Sequence, residues 1–199
     1  AFACRAFACR AWRRTIPAAL WFAVSLPAPG SSQVFLSQEE ALRLAFPEPA
    51  TIERRTAFLS EAELASARRL AGRGIEVDQS VVTYYVGRRN GATLGVAYFD
   101  VHRVRTLPEA VMVVVTPPAT IERIEILKFS EPPDYLAPAG WLEQFRGRSL
   151  SEGLSLKGEV VAITGATLTS RAITRASRRV LALHQVIRPF GRTRQEAGG

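Results

Sequence analysis

Apolar positions recur along this chain with two different periods, and the change from one to the other marks its organisation. Ser37, Gln38, Glu39 and Glu40 form a capping box, which predicts a helix to about residue 46, stopped by Pro47 and Pro49. Residues 51–59 suit an extended segment. Ser60 and Glu63 make a second capping box, opening a helix that Gly72 and Gly74 end. From residue 81 alternation takes over. Residues 81–87 are rich in Val and Tyr, Asn90-Gly91 is a two-residue hairpin signal, and residues 93–101 read as the returning strand. Residues 111–115 are an uninterrupted apolar run, which predicts a strand covered on both faces. A turn at residues 116–118 leads into alternation over residues 121–129, a further strand. A short helix is expected over residues 137–146, bearing Trp141, Leu142 and Phe145. The last element is a long helix in which Leu168, Ala172, Ala176, Val180, Leu183 and Ile187 form an apolar stripe. Arg171, Arg175, Arg178 and Arg179 lie mostly off that stripe and read as a solvated basic face.

The pattern predicts an α+β fold: an antiparallel sheet of about four or more strands, flanking helices and a long C-terminal helix. It divides the chain into a leader over residues 1–32, a helical N-terminal part over residues 33–80, a sheet-bearing domain over residues 81–188, and a polar, flexible tail over residues 189–199.

Composition changes this picture little. The 199 residues are 47% hydrophobic and 22% charged, which excludes a disordered or collagen-like chain. No stretch approaches the ~20 apolar residues of a membrane span, so a polytopic membrane protein is not expected. The net charge of +8 looks like a nucleic-acid footprint until it is located. All basic residues but Lys128 and Lys157 are arginine, a skew that reads as codon usage in a GC-rich genome more than as a binding surface. Arg5, Arg10, Arg13 and Arg14 fall in the first 32 residues, which hold no acid, and the rest of the chain carries +4.

That leader has the layout of a secretory signal peptide: a basic start, an apolar run over residues 16–26, then Pro27, Pro29 and the small residues Gly30 and Ser32. Export is expected. Residues 1–10 repeat Ala-Phe-Ala-Cys-Arg without an initiator Met and read as upstream sequence taken into the chain. They contain both cysteines, so the exported part is expected to lack disulfides, thiolate metal sites and haem attachment. His102 and His184 show no metal-ligand spacing.

The chemistry concentrates at Thr164-Gly165-Ala166-Thr167-Leu168-Thr169-Ser170, where a strand-like run over residues 159–163 turns into the long helix. Gly165 allows a tight turn and close approach. The backbone N–H groups that follow, with the helix dipole, make an anion site. Three threonines and a serine crowd a position where one cap is enough. The residues alone leave two readings open, a Thr-capped helix and a phosphate-binding turn.

Residues 162–170, Ala-Ile-Thr-Gly-Ala-Thr-Leu-Thr-Ser, resemble the flavinylation motif of the FMN-binding domain family. This family includes the G subunit of Rnf electron-transport complexes and the C subunit of the sodium-translocating NADH:quinone reductase. The resemblance implies FMN as cofactor, joined through a phosphoester to Thr167 by an extracytoplasmic FMN transferase that uses FAD and a divalent metal. It places Thr164, Gly165, Ala166, Leu168 and Thr169 around the cofactor. Glu131-Pro132-Pro133 stands where the family has a loop near the flavin, and residues 141–147 resemble its aromatic-Gln-Phe-x-Gly segment. The expected aromatic wall is Trp141 and Tyr135, then Tyr84 and Tyr85, and Arg171 is expected near the phosphate. The family pattern has Asp where this chain has Val161, and Glu159 is the nearest acid.

The implied function is an exported electron carrier rather than a stand-alone enzyme, serving membrane or periplasmic redox partners and no nucleic acid. The alternative is a domain that binds FMN without a covalent bond, or a flavin-free structural partner in an envelope complex.

Overall fold

The structure is a computed structural model and describes residues 33–190; the leader and residues 191–199 lie outside the described part. Six strands form one antiparallel sheet in the order β1-β6-β5-β4-β3-β2. In chain order they are β1 (Gln33–Val34), β2 (Thr51–Phe58), β3 (Val81–Arg89), β4 (Ala92–Arg103), β5 (Pro108–Thr116) and β6 (Thr120–Phe129). The helices are α1 (Gln38–Ala45), α2 (Glu61–Ala71), α3 (Ala139–Leu142) and α4 (Thr167–Ile187). The α+β expectation holds. Both capping boxes are present, Ser37 with Glu40 and Ser60 with Glu63, and each fixes a helix start at the residue after the serine.

The sheet is covered on both faces, as the continuous apolar run of β5 requires. Val111, Val113 and Val115 join the larger core beneath α2 and α4. Met112 and Val114 point the other way and pack with Ala41, Leu42 and Phe46 at α1. Gly87 on β3 is needed for that second packing, because a Cβ there would lie 2.3 Å from a ring carbon of Phe46. Residues 51–58 add to β3 from Thr51 opposite Arg88 to Phe58 opposite Val81, extending the four expected strands at one edge.

Three local expectations need correction. The helix expected over residues 137–146 is broken into α3 and flanking single turns at Pro133–Tyr135 and Glu143–Phe145. Pro133 opens the first turn and Pro138 sets the start of α3, positions that suit proline, whereas no proline stands between α3 and the turn at Glu143–Phe145. The strand-like run over residues 159–163 pairs with no strand. Side chains replace the ladder there: Gln144 Oε1 accepts from the Val161 N–H at 2.9 Å, Trp141 Nε1 donates to the Val161 carbonyl at 2.6 Å, and Ser170 Oγ accepts from the Ile163 N–H at 2.9 Å.

The buried face of α4 keeps Ala172, Ala176, Val180 and Leu183 of the apolar stripe but is wider than it. Leu168 is 42% exposed, whereas Thr169, Ser170, Thr174, Ser177 and His184 are buried. Ser170, Thr174 and Ser177 donate to the carbonyls of Ala166, Ser170 and Ile173, so their hydroxyls enter the core already satisfied. Arg178 and Arg179 fold inward too. Arg178 donates to the carbonyls of Ala71, Leu154 and Ser151, tying α4 to the end of α2.

Candidate functional site

The start of α4 is a turn built around Gly165. The Ala166 N–H donates to the Ile163 carbonyl at 3.1 Å, and Gly165 has φ +84°, the conformation its place in that turn demands. A side chain there would be strained, so the glycine is a backbone requirement. Ala166 is the cap residue and no side chain caps the helix. The first N–H groups of α4 have no intrahelical acceptor and leave positive charge at the helix end. Three threonines and a serine are present, and none does the ordinary capping work.

The four hydroxyls divide into two pairs. Thr169 and Ser170 are fully buried, and Thr169 Oγ1 donates to the Tyr135 carbonyl at 2.6 Å. Thr164 and Thr167 are exposed, and neither hydroxyl has a partner among the described residues. Only Thr167 of this exposed pair lines a depression, of about 280 Å³, whose other walls are Val104, Arg105, Tyr135, Gly165, Ala166, Leu168 and Thr169. The Arg105 guanidinium stands 5.5 Å from the centre of the Tyr135 ring. One exposed hydroxyl, an uncapped helix start, an arginine and an aromatic ring therefore meet in one place.

Glu131 holds the loop that forms one wall. Its Oε1 accepts from the backbone N–H groups of Arg105, Thr106 and Leu107 at 3.2, 2.8 and 2.8 Å. Burial works against the charge on Glu131, yet those N–H groups outweigh it and hold its carboxyl below the usual range. Glu131 thus anchors residues 105–107 from behind and is not among the residues lining the depression. Glu131→Ala leaves three donors without their acceptor. Amide hydrogen exchange at residues 105–107 should rise, by a local opening free energy of about 1–3 kcal/mol. Unchanged exchange there would contradict this role.

The remaining expected wall residues fall elsewhere. Trp141 packs edge-on against Phe145 and, with Gln144, clamps the backbone of Val161. Its contribution is to position the strand-like approach to Gly165. Tyr84 stacks on Tyr98 inside the larger core, and Tyr85 meets Phe99 on the opposite face of the sheet. Arg171 lies in a neighbouring groove that shares Val104 and Leu168 with the depression at Thr167. The carboxylate of Glu159 is engaged by Arg148.

Periodicity gave no sign of a buried charge cluster next to this groove. His102 Nδ1 stands 2.9 Å from Asp100 Oδ1, and His102 Nε2 stands 2.9 Å from Glu109 Oε2. Arg179 donates to both oxygens of Asp100, at 2.7 and 2.8 Å, a bidentate pair joining α4 to β4. Asp100 and His102 are two residues apart on β4, and Glu109 stands opposite His102 on β5. Alternation in the sequence places Asp100 and His102 on one face; the pairing with β5 could be read only from the sheet. Burial disfavours charge on His102, but the two carboxylates outweigh it and raise its pKa to about 9.

An uncapped helix start with one exposed hydroxyl, set in a small basic and aromatic depression on an α+β scaffold, is an arrangement that suits a phosphate group. Residues 108–182 match the family described as the FMN-binding domain. The G subunit of the Na(+)-translocating ferredoxin:NAD(+) oxidoreductase complex of Acetobacterium woodii is 32% identical over 118 residues, which cover 51% of this chain and 54% of that protein. The chain thus spans about half the length of this relative. The matched residues resemble an FMN-binding domain and the Acetobacterium protein, and FMN is the cofactor these matches support. No solved structure matches the chain.

Proposed function

We propose that this chain is an exported electron carrier that holds FMN through a phosphoester on Thr167 and works in a membrane-associated redox complex. The observation that carries the reading is the division of the four hydroxyls: Thr167 alone is exposed, unpartnered and set in the depression at the uncapped start of α4. The residues fit the group on three counts. The N–H groups of the first turn and Arg105 would hold a phosphate, Tyr135, Val104 and Leu168 would offer apolar contact, and Gly165 keeps the approach open. When bound, FMN supplies the one- or two-electron chemistry, and the chain supplies position and charge.

The depression of about 280 Å³ lies at the lower limit of sites that enclose a whole small molecule, so a cofactor tethered there would not be fully enclosed. That exposure suits a carrier. The match to the Acetobacterium protein supports electron transport at a membrane, and the leader supports export. No described helix is long and apolar enough to cross a membrane. Attachment needs help, because a threonine hydroxyl is a poor nucleophile at its own pKa. An FMN transferase would provide a base and a metal. Thr167 Oγ would bond to the FMN phosphorus of FAD, AMP would leave, and the hydroxyl proton would pass to the base.

A specific observation favours non-covalent binding as a second reading. Val161, 74% exposed, stands in the place of the family's acid, and Glu159 is occupied by Arg148. Co-expression with an FMN transferase, followed by denaturing gel electrophoresis, separates the two. The first reading expects flavin fluorescence on the protein band, and the second expects flavin only in the soluble fraction after denaturation. Val161→Asp should raise the rate of flavinylation on the order of tenfold or more if an acid there assists proton removal. An unchanged rate would show that the acid is dispensable in this chain.

A further inference from the structure

The groove beside the flavin site runs along α4 and is lined on that side by Leu168, Arg171, Ala172, Arg175 and Arg179. The end of β4 forms the facing wall with Val101, His102, Arg103 and Val104, and the segment after α2 closes it with Ile75, Glu76 and Asp78. Its volume is about 460 Å³, and it meets the Thr167 depression at Val104 and Leu168. We propose that this groove is the docking surface for an acidic electron-transfer partner. The proposal rests on the reading that Thr167 bears the flavin.

Two features select that occupant. The first is charge left unspent. The side chains of Arg171 and Arg175 are exposed and form no hydrogen bond or ion pair among the described residues, although they stand one turn apart on a rigid helix. Arg103 adds a third exposed guanidinium, whose only hydrogen bond among the described residues is to the Thr106 carbonyl. Of the two carboxylates in the groove, Asp78 is paired with Arg68 at 3.2 Å, so Glu76 alone offsets them. The second feature is apolar surface between these charges. Val101 is 64% exposed and Leu168 42%, large values for aliphatic side chains. An apolar centre edged by arginines is the composition of a protein interface rather than of a solvated face. The concave shape fits a protein partner better than a flat anionic membrane.

Position gives the groove its function. A partner whose carboxylates meet Arg171 and Arg175 sits against Leu168, the residue next to Thr167. Electrostatic attraction then raises the encounter rate and orients the partner over the cofactor, while affinity stays low enough for release. Transient redox encounters need that combination.

The test uses rubredoxin as a small acidic redox protein and cytochrome c as a basic one, each titrated against the chain with and without flavin. The expected result is binding of rubredoxin, weakened about tenfold or more by added salt, and no binding of cytochrome c. Arg171→Glu combined with Arg175→Glu should weaken rubredoxin binding by about tenfold or more, whereas the two Arg→Lys changes should retain most of it. Circular dichroism checks that the variants fold. Equal binding of both probes, or rubredoxin binding indifferent to the charge reversal, would overturn the proposal. So would binding to phosphatidylglycerol vesicles with none to rubredoxin. Rubredoxin binding to a chain that never acquires flavin would support this surface and refute the flavin reading. Flavinylated chain without rubredoxin binding would do the reverse.

Discussion

Thr167→Val should abolish covalent flavin: fluorescence of the denatured protein band falls to background, while Thr164→Val leaves it in place. The contrast follows from the start of α4. Thr169 and Ser170 are buried and already hydrogen-bonded, so neither hydroxyl is presented to an outside enzyme. Thr164 is exposed but belongs to the turn before the helix, outside the residues that line the depression. Thr167 is the first residue of α4 and lines the depression directly. Valine matches threonine in shape and branching, and the position is exposed, so the substitution removes the nucleophile with little cost to the fold. Fluorescence that survives Thr167→Val would move the attachment site elsewhere.

The second large effect is on stability. Asp100→Ala removes the carboxylate that Arg179 and His102 share, leaving the largely buried Arg179 guanidinium without a carboxylate while His102 keeps only Glu109. Breaking such a pair costs about 3–5 kcal/mol. For a domain of this size that lowers Tm on the order of 10 °C. The effect has a pH signature in His102. Its folded-state pKa is raised to about 9 from the ordinary 6.5, so its stabilisation is complete below 6.5 and lost as pH rises through 9. Asp100 acts in the opposite sense. Burial opposes its charge, but His102 and Arg179 lower its pKa to about 2 from 3.8, so its stabilisation is present above 3.8 and lost as pH falls through 2. Asp100 and His102 together therefore contribute most between about pH 4 and 6.5, while burial raises the pKa of Glu109 and sets it against them once it ionises.

His102→Gln isolates one part of this cluster. A neutral imidazole can donate to only one of Asp100 and Glu109, and the other carboxylate then loses its hydrogen bond. Glu109 is the more sensitive, being fully buried with a second oxygen that has no partner. The destabilisation measured by denaturant unfolding should be largest near pH 6 and shrink toward pH 10. A difference that stays constant with pH would mean that His102 acts by packing alone.

Elements with strong local signals were legible in the sequence. The two serine–glutamate boxes, the Asn90-Gly91 hairpin and the doubly buried β5 depend on neighbours a few residues away, and the fold keeps them. The site was legible where one motif carried it. Thr167, Gly165, Leu168 and Tyr135 meet around one depression. What the sequence hid depends on long-range contacts. The approach to Gly165 looked like a strand because its residues are β-branched, yet its hydrogen bonds go to the side chains of Trp141, Gln144 and Ser170. Arg179 looked solvated because its partner Asp100 is on another element. Trp141 and Glu131 lie away from the expected wall. Each fixes backbone behind the site, a role visible only once the loops are placed.

The most direct measurement is the mass and fragmentation of the tryptic peptide over residues 158–171, after co-expression with an FMN transferase. This peptide runs from the residue after Lys157 to Arg171 and contains Thr164, Thr167, Thr169 and Ser170 together. The predicted result is a gain of one FMN less one water, with fragment ions placing it on Thr167. A peptide without that gain, from cells whose transferase modifies another acceptor, would contradict covalent attachment, and a gain on any of the other three hydroxyls would contradict the site.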